Sequence, residues 1–144
     1  MASLIPTSVL DICQSPYGCA IFLKALDKIF VIYVDRARGC AMQSAFEQEK
    51  TERPLSYEFV WQTLDALDCG VDSVVIYRED NGIFFTFMRV SMNNELGSKI
   101  AEIDGRPSDT LAVALKANAP IYIRSDVLEK LPDVSQAYAK IKGE

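Results

Sequence analysis

Apolar and β-branched residues dominate residues 7–13, 19–26 and 29–34, and the gaps between these runs are short and polar. Ser15-Pro16-Tyr17-Gly18 supplies turn chemistry in the first gap, and Asp27-Lys28 fills the second. This pattern predicts three strands in an antiparallel meander. The period then changes. Over residues 37–49, Ala41 and Ala45, and Met42 and Phe46, recur at i, i+4, predicting a helix that Thr51-Glu52-Arg53-Pro54 breaks. Ser56 stands where an N-cap belongs, Val60, Leu64 and Leu67 form one apolar stripe, and Gly70 is placed for a left-handed C-cap.

Strands resume at residues 71–78 and 83–92, joined by Asp80-Asn81-Gly82, whose Asn-Gly step accepts the positive φ of a type I′ turn. A third strand is predicted at 99–104. Pro107 then takes a first helical position, and Leu111, Ala114 and Leu115 face a core. A short strand at 120–123, a short helix capped by Ser125 and ending at Leu131, and a helical tail over 134–142 complete the chain. The order is three strands and two helices, twice over. Asp35-Arg36 and the small-residue helix after it align with Asp104-Gly105-Arg106 and the helix that follows there. The expected fold class is α+β, a single domain over residues 1–133 built from two β3α2 repeats at about 7–69 and 71–131, with residues 134–144 as its tail.

Composition narrows the chemistry. Of 144 residues, 49% are apolar and 24% charged, which is ordinary globular usage. The 15 basic and 20 acidic residues leave a net charge of −5, which disfavours wholesale attraction to nucleic acid or anionic membrane but leaves room for a local basic patch. There is no histidine, so Ser-His-Asp and Cys-His machinery, His-bearing zinc sites and imidazole bases are all excluded. Acid–base work would fall to carboxylates, Lys, Tyr, Cys or a metal-bound water. Cys13, Cys19, Cys40 and Cys69 contain no Cys-x-x-Cys pair, and reduced, mostly buried thiols in a cytoplasmic protein are expected. The first residues do not read as a secretory signal, and the apolar run 29–34 is too short for a membrane helix. No nucleotide fingerprint or phosphate-binding Gly loop occurs, so no organic cofactor is expected.

Two stretches are more specific. Arg53-Pro54-Leu55-Ser56-Tyr57-Glu58 precedes an amphipathic helix. Later comes Glu102-Ile103-Asp104-Gly105-Arg106-Pro107-Ser108-Asp109-Thr110-Leu111-Ala112-Val113-Ala114-Leu115, then Ala119-Pro120-Ile121-Tyr122-Ile123. Together they resemble the bifunctional nuclease domain family, over about residues 7–131. The resemblance implies a duplicated β3α2 fold wrapped into one barrel-like, largely antiparallel sheet with flanking helices. It also implies metal-assisted phosphodiester hydrolysis of RNA and DNA. Two positions depart from the family pattern. Tyr57 stands where bacterial members usually carry His, and the first-repeat helix around Gly39-Cys40-Ala41 lacks their acidic residue.

The candidate site residues follow from these stretches. Asp104 ends a strand and Asp109 begins a helix, so both could hold Mg²⁺ or Mn²⁺ and act in catalysis. Alternatively, Asp109 at about N3 stabilises its helix and Asp104 pairs with Arg106. Glu58 is a base or metal ligand, with Tyr57 a surface for base stacking, or else a first-turn acid. Arg106, Arg53 and Arg38 are the phosphate candidates; against this, Arg106 could simply bridge to Asp104 or Asp109. Expected partners are RNA or DNA and further copies of the chain, as a dimer. The rival reading is a non-catalytic oligomeric binding or assembly module of the same fold.

Overall fold

The computed structural model describes residues 2–143. The first meander comprises β1 (Leu4–Ser15), β2 (Gly18–Ala25) and β3 (Lys28–Val34), followed by α1 (Arg36–Phe46) and α2 (Ser56–Ala66). The second comprises β4 (Cys69–Asp80), β5 (Ile83–Asn94) and β6 (Gly97–Gly105), followed by α3 (Pro107–Ala117), β7 (Ile121–Arg124), α4 (Ser125–Lys130) and α5 (Ser135–Ile141). The hairpin between β4 and β5 forms as its sequence predicts, with Asn81 and Gly82 at φ 50° and 86°.

The seven strands run in the order β3-β2-β1-β7-β4-β5-β6. Neighbours are antiparallel except β4 and β7, which pair parallel at Val74–Ile121, Val75–Tyr122 and Ile76–Ile123. The short β7 thereby joins the two meanders into one sheet of a mixed α+β domain. The expectation of a barrel is corrected here, because β3 and β6 end the sheet unpaired with each other. The sheet nevertheless curls: Phe30 of β3 stacks on Phe84 of β5 with ring centroids 6.2 Å apart, although no ladder joins those strands.

The concave face carries the core. Ile21, Leu23 and Ile32 from one meander share a cluster with Val74 and Ile76 from the other and with Leu111, Ala112 and Ala114 of α3, all of them fully enclosed. Helix α1 packs beside α3 and so closely on β2 that a Cβ at Gly39 would fall 2.4 Å from Cys19 Cβ. Glycine is therefore required there by space, not by backbone angle. The tail helix α5 rests on the sheet through Tyr138, whose ring lies 5.0 Å from Phe22, and through a Lys142–Asp11 ion pair of 2.9 Å.

Helix ends differ from the sequence pattern. Leu55, not Ser56, is the N-cap of α2, and Arg124, not Ser125, that of α4. The residue with left-handed backbone after α2 is Asp68, at φ 59°, and Gly70 lies within β4. Asp tolerates that region through its short polar side chain, so the chain turns before the glycine is reached. Only Cys19 of the four thiols is buried; Cys13 and Cys69 are half-buried and Cys40 is exposed. Among the described residues, no helix is long and apolar enough to cross a membrane.

Candidate functional site

The segment from Asp104 to Thr110 turns the chain from β6 into α3, and its residue types follow from that geometry. Gly105 has no room for a side chain, since a Cβ there would lie 2.7 Å from Thr110 Cγ2. Arg106 is the extended N-cap, and Pro107 fills the first helical position, where its missing N–H costs nothing. The Arg106 carbonyl accepts from the N–H of Asp109 at 2.9 Å and of Thr110 at 3.0 Å. The Thr86 hydroxyl, fully buried on β5, donates to the Gly105 carbonyl at 2.7 Å and stands 2.6 Å from the Thr110 hydroxyl. The turn is thus pinned to the sheet, and Asp109 falls at N3.

Two clefts flank this turn. One, of about 290 Å³, lies between α2, β6 and α3 and is lined by Tyr57, Val60, Ile103, Asp104 and Asp109 among others. The other, of about 440 Å³, lies where the starts of α1 and α3 approach the β4–β5 turn, and its wall includes Asp35, Arg38, Arg106 and Ser108. The exposed Arg106–Asp109 ion pair, 3.3 Å between Nε and Oδ2, therefore spans the ridge between the clefts. This bridge is the structural alternative that the sequence left open for Arg106.

The two carboxylates do not converge. Asp104 pairs with Phe87 in the β5–β6 ladder and Ile103 with the buried Met88, so alternation sends the Asp104 side chain to the convex face. There its Oδ1 accepts from Tyr77 Oη at 2.6 Å, and that bond holds the Tyr77 hydroxyl above its ordinary pKa. Asp109, in the first turn of α3, is engaged by Arg106 instead. Among the described residues, no group of three or more Cys, Asp or Glu side chains could hold a metal ion. Asp104 and Asp109 border the same cleft, but each carboxylate is engaged elsewhere, by Tyr77 and by Arg106, and no third ligand stands beside them among the described residues, so the set fits a protein-held Mg²⁺ or Mn²⁺ ion poorly.

Glu58 serves α2. Its Oε1 accepts from the Leu55 N–H at 3.0 Å and from the Thr51 hydroxyl at 2.8 Å, and Oε2 lies 4.0 Å from Lys116 Nζ. The residue is 8% exposed, and these partners, led by the Leu55 N–H, hold its carboxyl below the ordinary value. Lys116 also sits over the Trp61 ring at 5.4 Å, which ties Trp61 to the α2–α3 seam. Tyr57 is buried, with its hydroxyl 3.1 Å from Ser44 Oγ, so it offers no open face for stacking. Arg53 is exposed between α1 and α2 and lines neither cleft. Arg38 is held by the Asp35 carboxylate, which also caps α1 by accepting from the Arg38 N–H at 2.8 Å. Glu102 is exposed, 3.8 Å from Arg89.

The Glu58 geometry has a consequence for pH. A carboxylate with a lowered folded-state pKa contributes fully above its unfolded value, about 4.3, and loses that contribution as pH falls through the lower folded value. Glu58→Ala is expected to destabilise by about 1–3 kcal/mol at neutral pH, by leaving the Leu55 N–H without its partner. The difference between variant and wild type should shrink as urea midpoints are measured at successively lower pH below about 4.3. A difference that stays constant through that range would show that the carboxylate charge is not what stabilises α2.

Sequence reasoning missed Tyr17, Tyr33 and Ser108, all of which line the second cleft. Tyr33 and Tyr17 carried no motif, and Ser108 was only a letter within the Arg106-Pro107-Ser108-Asp109 signature. Two uncharacterized proteins of Mycobacterium tuberculosis, from strains CDC 1551 / Oshkosh and ATCC 25618 / H37Rv, are each 28% identical to the chain over 119 residues. The alignments cover 78% of this chain and 67% of the length of each relative. The family description for the bifunctional nuclease domain matches residues 21–135, a span that includes β3, the whole of α3 and every cleft-lining residue named above except Tyr17. The chain belongs to the bifunctional nuclease domain family.

Proposed function

We propose that the protein is a phosphodiesterase acting on RNA or DNA, working at the start of α3. The observation that supports this reading is the Arg106–Asp109 ridge, which sets a carboxylate facing one cleft beside guanidinium groups facing the other. In a chain without histidine, an exposed Asp is a chemically competent proton acceptor next to a cation that would hold a phosphate. Asp109 is the acid–base group of this reading and Arg106 its phosphate contact, with Arg38 beside it. Asp104, engaged by Tyr77, and Glu58, engaged by the α2 cap, act as structural groups. The shared β-β-β-α order of the two halves supports an origin by duplication.

A second reading draws on β6. This edge strand is exposed on both faces, with Ile100 and Ile103 open to solvent, and Phe59 and Val60 are open on α2. Such an edge invites pairing with another copy, as a cytoplasmic assembly module would require. The test is cleavage of labelled single-stranded RNA and DNA by purified protein in Mg²⁺, in Mn²⁺ or in EDTA, with sedimentation on the same samples. Cutting that tracks the protein peak supports the nuclease. A sedimenting dimer with no cutting in any condition removes that reading and supports the assembly module.

A further inference from the structure

The cleft between the starts of α1 and α3 combines three kinds of group. The first is cationic. Arg38 meets Asp35 through Nη1 alone, and Arg106 meets Asp109 through Nε alone, so both guanidinium groups keep N–H donors without a protein partner among the described residues. Asp35 is the one acid on the cleft wall, since Asp109, the partner of Arg106, borders the other cleft. The second is a buried hydroxyl. Ser108 is 6% exposed, lines the cleft, and makes no side-chain hydrogen bond among the described residues. No enclosed side-chain polar atom among the described residues lacks a partner, so this hydroxyl reaches the open space of the cleft. It sits in the first turn of α3, an 11-residue helix with no side-chain N-cap.

The third is aromatic. Tyr33 at the end of β3 is 74% exposed, and Tyr17 at the β1–β2 turn is 99% exposed, yet both border the same cleft. Among the described residues, neither ring stacks on another ring or carries a hydrogen bond through its hydroxyl. An anion-receptive floor with two open aromatic faces at its rim matches a nucleotide in a single strand: phosphate on guanidinium and helix N–H groups, base on a ring. A duplex keeps its bases stacked on each other and presents no free π-face to Tyr17 or Tyr33.

The geometry points to this cleft as a subsite for single-stranded polynucleotide, in which Arg38, Arg106 and Ser108 hold one phosphate and Tyr33, with Tyr17, stacks an adjacent base. The inference rests on the reading that the protein acts on RNA or DNA. It adds the preference for single strands and the direction of approach, since the next phosphodiester would lie across the ridge toward Asp109.

The test is equilibrium binding in EDTA, so that no cutting intervenes, using fluorescein-labelled single-stranded RNA, single-stranded DNA, and the corresponding duplexes. Wild type is expected to bind single strands of at least one sugar type more tightly than duplex. Tyr33→Ala is expected to weaken that binding about tenfold with an unchanged melting temperature, the loss of one stacked base. Arg38→Gln is expected to reduce the slope of log affinity against log salt by about 0.7, one phosphate contact on a single strand. Equal binding by Tyr33→Ala and wild type, equal affinity for duplex, or no binding by wild type each overturns the subsite. Tyr33-dependent binding without any cleavage would remove the nuclease and leave the subsite standing. Cleavage indifferent to Tyr33 would do the reverse.

Discussion

Phe30→Ala is expected to cost about 3–5 kcal/mol, a large share of the 5–15 kcal/mol that holds a domain of this kind together. The ring is 1% exposed on an edge strand, where a side chain is ordinarily half open. What covers it is the curl of the sheet. Phe84 of β5 stacks against it with planes 24° apart, and four strands separate the two in the hydrogen-bonded order. Truncating the ring removes apolar burial and opens a cavity between the two meanders, which α1 and α3 cannot fill without moving. A melting temperature lowered by roughly 10 °C would be the readout for a chain of this length. Coupling between Phe30→Ala and Phe84→Ala in a double-mutant cycle should reach about 0.5–1.5 kcal/mol beyond the single effects. Additivity of the two would mean that the rings meet without sharing energy, and that β3 is held by its ladder to β2 alone.

Local structure was legible wherever one residue type satisfies a backbone requirement unaided. Asn81-Gly82 specified its turn, and Pro107 with Asp109 specified the first turn of α3. The caps were illegible for the opposite reason. Leu55 and Arg124 start helices without side-chain cap bonds: the carboxylate of Glu58 accepts from the Leu55 N–H, and the Ser3 carbonyl accepts from the Ser125 N–H. The unclosed sheet was illegible because it depends on β7, four residues whose parallel pairing with β4 and antiparallel pairing with β1 are decided by tertiary contact. The separation of Asp104 from Asp109, by contrast, was present in the sequence. Ile103 and Asp104 alternate on one strand, so the two side chains leave it on opposite faces, Asp104 on the side of its ladder partner Phe87. The second cleft was hidden, since Tyr17, Tyr33, Arg38 and Ser108 come together only through the curl of the sheet.

That separation gives the candidate site its sharpest test. Asp109→Asn is expected to reduce cleavage of single strands about 10²–10⁴-fold, the range for loss of a general acid or base, while leaving the melting temperature close to that of wild type. Asp109 is exposed and its one ion pair, to Arg106, is exposed as well, so little stability is at stake. Asp104→Asn should behave differently. The amide oxygen can still accept from Tyr77, and the side chain lies on the convex face, so cleavage should be retained within a few-fold. The change should also relieve the upward shift of the Tyr77 hydroxyl, read as earlier phenolate formation in an alkaline absorbance titration. Matched loss of cleavage in both variants would mean instead that the two carboxylates act as a unit around the Gly105 turn, with β6 giving way when substrate binds. Loss of folding in Asp109→Asn alone would return Asp109 to the role of a helix-start acid and leave the chemistry to residues elsewhere on the ridge.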